Sequence, residues 1–235
     1  MQKHRLLFFF MLTLPLVGLL PLTGCVARDG GKLPLMIIPA KANADTPLAI
    51  FVSGDGGWTS FSKDLAATLA ANNIPVVALN AREYFWSKKS PEQFTKDISS
   101  LAQQYMQEWG KQSFILVGFS FGADVAAFLP ERLQPALKAR LKLTALLSPS
   151  ASTDFEVKLM DMAGVSSIKR GYDVLKEIKR LEHQNVVCVF GADEEAGLDP
   201  DKVRPLTKVA VLEGRHYFNN NAKKVAETIQ KSISR

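Results

Sequence analysis

The sequence predicts an α/β fold with a mostly parallel central sheet and helices on both faces. Short apolar runs alternate with helical segments along the 235-residue chain, as in proteins built from strand–helix–strand units. The runs are apolar throughout, which is typical of parallel strands that are buried on both faces. The sequence has no internal repeat and no low-complexity linker, so its length indicates one domain with a substantial core.

Six short apolar runs are the predicted strands of the buried part of the sheet: 48–52, 75–79, 114–117, 142–147, 186–190 and 209–212. A seventh run, Leu35–Ile38, lies between Pro34 and Pro39. Because proline cannot donate a hydrogen bond to a neighbouring strand, we expect this run at the edge of the sheet.

The predicted helices follow the strands and cover 61–71, 91–109, 123–129, 172–181 and 221–233. Pro91 begins the second of them, where its missing N–H would have no partner in any case. We interpret residues 153–184 as a lid-like insertion that contains the helix at 172–181.

Residues 1–24 have the pattern of an export signal. Basic residues precede an apolar run at 6–20, and small residues follow it. The tetrapeptide Leu22-Thr23-Gly24-Cys25 resembles the lipobox of bacterial lipoproteins, in which the cysteine is acylated and becomes the mature N-terminus. A plain secretory signal and an uncleaved anchor are the alternatives.

Acylation of Cys25 would attach the protein to a membrane on its periplasmic side. Val26 follows the cysteine at the position where an aspartate would signal retention in the inner membrane, which favours the inner leaflet of the outer membrane. Residues 25–46 are then a tether with an edge strand, and residues 47–235 form a single domain.

Composition excludes several other classes of protein. The net charge of +6 is modest and spread along the chain, so it fits a solvated surface or attraction to anionic lipid headgroups. No nucleic-acid-binding motif is present. One of the two cysteines, Cys188, lies in an apolar strand and is predicted to be a buried packing residue. Without a disulfide framework or metal-ligand spacing, we predict no metal and no other cofactor.

The motif Gly118-Phe119-Ser120-Phe121-Gly122 stands between a predicted strand and a predicted helix. That context is typical of the nucleophile elbow, in which a serine sits on a sharp strand-to-helix turn with its hydroxyl exposed. The free N–H groups at the start of the helix would favour developing negative charge there. We therefore predict Ser120 as a nucleophile; the alternative is an ordinary turn that contains glycine and serine.

A nucleophilic serine needs a base, and the chain has only three histidines. His4 lies in the predicted signal, and His183 precedes a strand. His216 follows the last predicted strand, at the edge of a parallel sheet where ligands bind. We predict His216 as the base.

The acid that orients this base should follow the penultimate strand, because α/β-hydrolases carry serine, acid and histidine in that chain order. Asp193 has this position and is our predicted acid. Glu194 and Glu195 are the alternatives. An α/β-hydrolase fold is therefore the specific form of the predicted fold class.

An oxyanion hole needs two backbone N–H donors. We expect the N–H of Phe121, directly after the serine, to be one of them. The other should belong to Asp55 or Gly56, in the glycine-rich turn after the strand at 48–52. The turn is not a phosphate-binding Walker A loop, because no Lys-Ser/Thr pair follows it.

Four motifs together resemble the family of the bacterial virulence protein VirJ and the related C-terminal domain of AcvB. They are Gly-Phe-Ser-Phe-Gly-Ala-Asp-Val at 118–125, Ser-Gly-Asp-Gly-Gly-Trp at 53–58, Tyr-Phe-Trp at 84–86 followed by Ser-Pro-Glu-Gln at 90–93, and Ser-Ala-Ser-Thr-Asp-Phe-Glu at 150–156. The resemblance implies an exported α/β-hydrolase with Ser120 as nucleophile, Asp193 as acid and His216 as base. It also implies hydrolysis of the aminoacyl ester of lysyl- or alanyl-phosphatidylglycerol, and proteins of a type IV secretion system as possible partners.

Such a substrate carries an ammonium group close to the ester, so an anionic side chain should lie near the serine. Asp55, Asp124 and Asp154 are the candidates. The aromatic residues at 84–86 either touch acyl chains or pack in the core. Two other functions stay open: a general carboxylesterase, and a non-enzymatic periplasmic chaperone or secretion partner on a hydrolase scaffold.

Overall fold

The computed structural model describes residues 33–40, 45–157, 171–195 and 197–233. The predicted signal at 1–24, the lipobox cysteine Cys25 and the middle of the predicted insertion lie outside the described residues. None of the described helices is long and apolar enough to cross a membrane.

A seven-stranded sheet forms the centre of the described structure. Its strands are β1 (Leu35–Ile38), β2 (Leu48–Val52), β3 (Val76–Leu79), β4 (Phe114–Phe119), β5 (Leu141–Leu147), β8 (Val186–Gly191) and β9 (Lys208–Leu212), in the spatial order β1-β3-β2-β4-β5-β8-β9. Only the edge strand β1 is antiparallel to its neighbour. All strands and the parallel sheet predicted from the sequence are confirmed, and the carboxyl ends of six strands meet at one edge.

The helices are α1 (Ser60–Ala71), α2 (Ala81–Tyr84), α3 (Pro91–Glu108), α4 (Phe121–Ala126), α5 (Pro135–Lys138), α6 (Val174–Arg180), α7 (Pro200–Val203) and α8 (Ala222–Ile233). Pro91 is the first residue of α3, and the hydroxyl of Ser90 accepts a hydrogen bond from the Gln93 N–H at 3.1 Å, as in a standard N-cap. The one-turn helices α2, α5 and α7 escaped prediction because four residues are too few to show a helical period.

Alternate residues of the strands face two separate cores. In β2, Ile50 belongs to the core under α3 and α4, whereas Phe51 belongs to the core under α1 and α8. Both side chains are fully buried. This two-sided burial explains why the strand sequences are apolar throughout.

Two short strands, β6 (Ser152–Thr153) and β7 (Tyr172–Asp173), pair antiparallel at the start and within the predicted insertion at 153–184. The strand β7 replaces the first two residues of the predicted helix at 172–181, and α6 covers the rest up to Arg180. The N–H of Gly171, just before β7, donates to Oδ1 of Asp154, just after β6, at 2.9 Å.

Candidate active site

Ser120 lies on a strained turn between β4 and α4. Its backbone has φ 55° and ψ −126°, a conformation that non-glycine residues rarely adopt. The turn is held by its own hydrogen bonds, since the Ser120 N–H donates to Leu147 O at 2.8 Å and the Ala123 N–H donates to Ser120 O at 2.7 Å. Strain that is fixed in this way is typical of functional sites.

The two glycines of the motif are required by close packing. A Cβ atom on Gly118 would lie 2.4 Å from Gly122 O, and a Cβ atom on Gly122 would lie 2.2 Å from Val52 O. Both distances are far shorter than van der Waals contact. The absence of side chains at these positions therefore lets α4 begin directly against the carboxyl end of β2.

His216 meets Ser120 from the loop after β9. Its Nε2 lies 2.8 Å from Ser120 Oγ. The loop reaches this position by lying against the end of β8, where a Cβ atom on Gly191 would come within 2.4 Å of Arg215 O. The structure thus brings together the serine and the histidine that the sequence predicts.

The side chain beside the other nitrogen of His216 is Glu194, not Asp193. Glu194 Oε1 lies 2.6 Å from His216 Nδ1, and the glutamate side chain is only 8% exposed. Asp193 is exposed, and its backbone N–H donates to Gly214 O at 3.0 Å. The prediction of Asp193 as the acid is therefore wrong, and the alternative Glu194 takes its place; Glu195 is also exposed.

Asp193 fails to reach His216 because β8 is longer than predicted. The strand continues to Gly191, one residue beyond the predicted end, and the following turn leaves Asp193 on the outside. The carboxylate that turns inwards is the next one along the chain. A one-residue difference of this kind depends on where the strand ends, which sequence patterns locate poorly.

Ser148 is a site residue that the sequence analysis missed. Its hydroxyl donates to Glu194 Oε2 at 2.9 Å, and the Gly191 N–H approaches the same oxygen at 3.4 Å. Ser148 is buried and has φ 50°, so this residue too occupies the left-handed region. The available signal was its position, directly after β5 and beside β8 at the same edge of the sheet.

The predicted oxyanion donors belong to two segments that meet at Ser120. Among the described residues, no acceptor contacts the backbone N–H groups of Phe121, Asp55 and Gly56. The turn after β2 comes close to the serine, since a Cβ atom on Gly54 would lie 3.3 Å from Ser120 Cβ. Unpaired N–H groups are therefore present both on the residue after Ser120 and on the turn after β2.

The three predicted acidic residues have different surroundings. Asp124 is only 1% exposed, and its Oδ1 accepts a hydrogen bond from the Ser150 N–H at 2.6 Å. Asp154 Oδ1 accepts the hydrogen bond from the Gly171 N–H described above. Asp55 is half-buried and makes no hydrogen bond or ion pair with any described residue. Of the three, only Asp55 therefore has a partly exposed carboxylate without a hydrogen bond or ion pair to a described residue.

Tyr217 is a neighbour of the histidine. Its ring centroid is 5.4 Å from that of His216 and 5.3 Å from that of Phe119. Burial raises the pKa of the Tyr217 phenol, and the nearby negative charge of Asp55 adds to this effect. The described residues contain no cluster of three or more histidine, cysteine or acidic side chains that could hold a metal ion.

The turn around Ser120, the parallel sheet with helices on both faces and the His216 loop define an α/β-hydrolase fold. The chain belongs to the family of the bacterial virulence protein VirJ, whose family model matches residues 46–235. No curated protein sequence matches the chain significantly.

Solved structures support the fold assignment. Est1E from Butyrivibrio proteoclasticus, with ferulic acid bound, has a TM-score of 0.60 at 14% identity over 88% of this chain and 98% of that chain. A lipase-esterase related protein from Clostridium acetobutylicum has a TM-score of 0.60 at 16% identity over 85% and 98%. The enol-lactonase from Burkholderia xenovorans has a TM-score of 0.60 at 14% identity over 86% and 96%.

Proposed function

We propose that this protein is a periplasmic serine hydrolase that cleaves the aminoacyl ester of lysyl- or alanyl-phosphatidylglycerol, and that acylated Cys25 anchors it to a membrane. The observation that carries the proposal is the continuous hydrogen-bonded chain from Ser120 through His216 to Glu194. A scaffold protein has no use for such a chain, so this geometry favours an enzyme. Membership of the VirJ family and the α/β-hydrolase fold also support it.

Each residue then has a defined role. His216 Nε2 removes the proton of Ser120 as the hydroxyl attacks the ester carbonyl, and Glu194 stabilises the imidazolium that forms. The backbone N–H of Phe121 and that of Asp55 or Gly56 hold the oxyanion. His216 next protonates the glycerol oxygen of the departing phosphatidylglycerol, and a water activated by the same histidine releases the amino acid from Ser120.

Asp55 is the proposed partner of the substrate ammonium group. Its carboxylate lies on the turn that approaches Ser120, and the described residues offer it no competing cation. We predict that Asp55→Asn raises KM for lysyl-phosphatidylglycerol about two- to fivefold, as expected for the loss of a partly exposed charge pair. Turnover of a short neutral ester should change little. An equal loss on both substrates would contradict this role.

Release of free amino acid from purified lysyl- and alanyl-phosphatidylglycerol tests the function. The full chain in detergent micelles is compared with Ser120→Ala and with a short-chain ester as second substrate. We expect release by the wild-type protein and loss of most turnover in the variant. Cleavage of the short ester alone would make the protein a general carboxylesterase, and no cleavage of either would favour the chaperone or secretion-partner function.

A further inference from the structure

Trp86 is an exposed aromatic side chain at the carboxyl edge of the sheet. It follows α2, directly after the loop that leaves β3, and is 55% exposed. Its neighbours Tyr84 and Phe85 are buried in the core. Of the three aromatic rings at 84–86, two therefore pack in the core and only that of Trp86 is exposed.

The segment that carries Trp86 is firmly held. The Tyr84 hydroxyl donates to Asp97 Oδ2 at 2.6 Å. The N–H of Val157 donates to Phe85 O, and the N–H of Lys89 donates to Phe155 O, both at 2.8 Å. The indole is therefore displayed on a rigid support, so its exposure is not that of a loose loop.

Basic residues flank Trp86 in the sequence. Arg82 and Lys88 are exposed and Lys89 is half-buried, and none of the three forms an ion pair with a described residue. Lys89 Nζ donates to Ser87 Oγ at 2.7 Å. The acidic residue among them, Glu83, accepts a hydrogen bond from Asn80 Nδ2 at 2.6 Å. We call Arg82, Trp86, Lys88 and Lys89 the Trp86 surface; it carries three cations, and the carboxylates of Glu83 and Glu156 belong to segments beside it.

This surface adjoins the candidate active site. The Arg82 Cβ lies 3.4 Å from where a Cβ atom would stand on Gly57, in the turn that supplies the oxyanion donors. The Phe85 ring packs edge-on against the ring of Phe121, with centroids 5.1 Å apart. The segment that carries the Trp86 surface therefore packs against the turn after β2 and against the residue that follows Ser120.

We propose that the Trp86 surface docks on an anionic phospholipid bilayer. Indole rings prefer the headgroup level of a membrane, where an apolar body and a polar N–H are both accommodated. Each nearby lysine or arginine is attracted by the negative surface potential of anionic lipids. Among the other exposed large apolar side chains of the described residues, Ile37 and Val211 lie on the two edge strands, and the Tyr217 ring packs against the ring of His216. Docking would place the site opening at the headgroups.

Fluorescence quenching tests the contact without any hydrolysis. The full chain is mixed with phosphatidylcholine vesicles, with or without phosphatidylglycerol, that carry brominated acyl chains. We expect quenching of tryptophan emission with phosphatidylglycerol and a several-fold smaller effect at high salt. Trp86→Phe should abolish most of the quenching. Trp58 and Trp109 remain in this variant and serve as internal controls.

Charge reversal gives the matched comparison. The double variant Arg82→Glu with Lys88→Glu should reduce quenching at least about fivefold, since each cation near an anionic surface contributes that factor. Lys142→Glu should leave quenching unchanged, because this exposed lysine lies near the amino end of β5.

Several results would overturn the proposal. Equal quenching of wild type and Trp86→Phe would mean that Trp86 stays in water. Quenching that is independent of phosphatidylglycerol and of the charge reversals would exclude recognition of anionic lipid. Shielding of Trp86 that rises with protein concentration in lipid-free detergent would assign the surface to a second copy of the chain. Hydrolysis plays no part in these readouts, so they stand or fall separately from the proposed function.

Discussion

Glu194 shows how one side chain decides the chemistry of this site. Its two oxygens have different partners: Oε1 faces His216 Nδ1, and Oε2 accepts from the Ser148 hydroxyl. A carboxylate fixed at both oxygens holds the imidazole in the tautomer that keeps Nε2 free to accept the serine proton. Asp193, exposed to solvent, has no such contact.

Paired amide substitutions separate the two acidic residues. Glu194→Gln should lower kcat by about 10²- to 10⁴-fold, since an amide no longer stabilises the imidazolium. Asp193→Asn should keep near-normal kcat. Steady-state kinetics of both variants on an ester that the wild-type protein cleaves, with thermal melts to verify folding, measure the difference. Comparable losses of kcat in both variants would show that Asp193 also takes part in the reaction.

Ser148 should act on the reaction through Glu194. We expect Ser148→Ala to lower kcat about tenfold with little change in KM, because a hydrogen bond to a charged group contributes about 1.5–3 kcal/mol.

Ser148→Gly provides the control for backbone strain at φ 50°. Glycine relieves that strain but also lacks the hydroxyl, so it should be as slow as the alanine variant. A glycine variant with wild-type kcat would show that Ser148 matters only through its backbone.

Among the structural elements, the strand–turn–helix of β4 and α4 sets the position of Ser120. The turn is closed by contacts with the end of β2, where only hydrogen atoms fit between Gly122 and the carbonyl oxygens of Val52 and Ser53. The position of Ser120 thus depends on β2 as well, which is far from β4 and α4 in sequence.

Gly122→Ala tests this dependence. The added methyl would lie 2.2 Å from Val52 O, so backbone must move, at a cost of about 1–3 kcal/mol or more. We expect a lower melting temperature and almost no turnover. Gly110→Ala is the matched control: its Cβ would meet nothing within 4 Å, and φ 64° costs about 1 kcal/mol. A fully active Gly122→Ala would contradict the packing argument.

At the scale of the whole molecule, stability comes from two cores separated by one sheet. Cys188 lies in β8, fully buried in one of these cores, as the sequence predicts. Burial raises the pKa of its thiol to about 12, so the folded state disfavours the reactive thiolate.

Labelling of Cys188 should therefore report global unfolding. We expect no reaction of the native protein with a thiol reagent at pH 8 and full reaction in denaturant, mapped to Cys188 by mass spectrometry. Because the pKa is raised on folding, the thiol contributes stability below pH 9, its value in the unfolded chain, and this contribution is lost as the pH rises through the folded value. Rapid labelling without denaturant would mean that β8 opens locally.

The sequence alone determined the alternation of strands and helices, the buried strands, and the placing of Ser120 and His216 at the carboxyl edge. These features depend on local patterns, namely apolar runs, glycines at a turn and chain order, and such patterns can be read from neighbouring residues. Only the tertiary structure decided between Asp193 and Glu194, brought Ser148 to the carboxylate, and left Asp55 accessible while burying Asp124. Those outcomes depend on where a strand ends and which side chain a turn directs inwards, and contacts between residues distant in sequence set both.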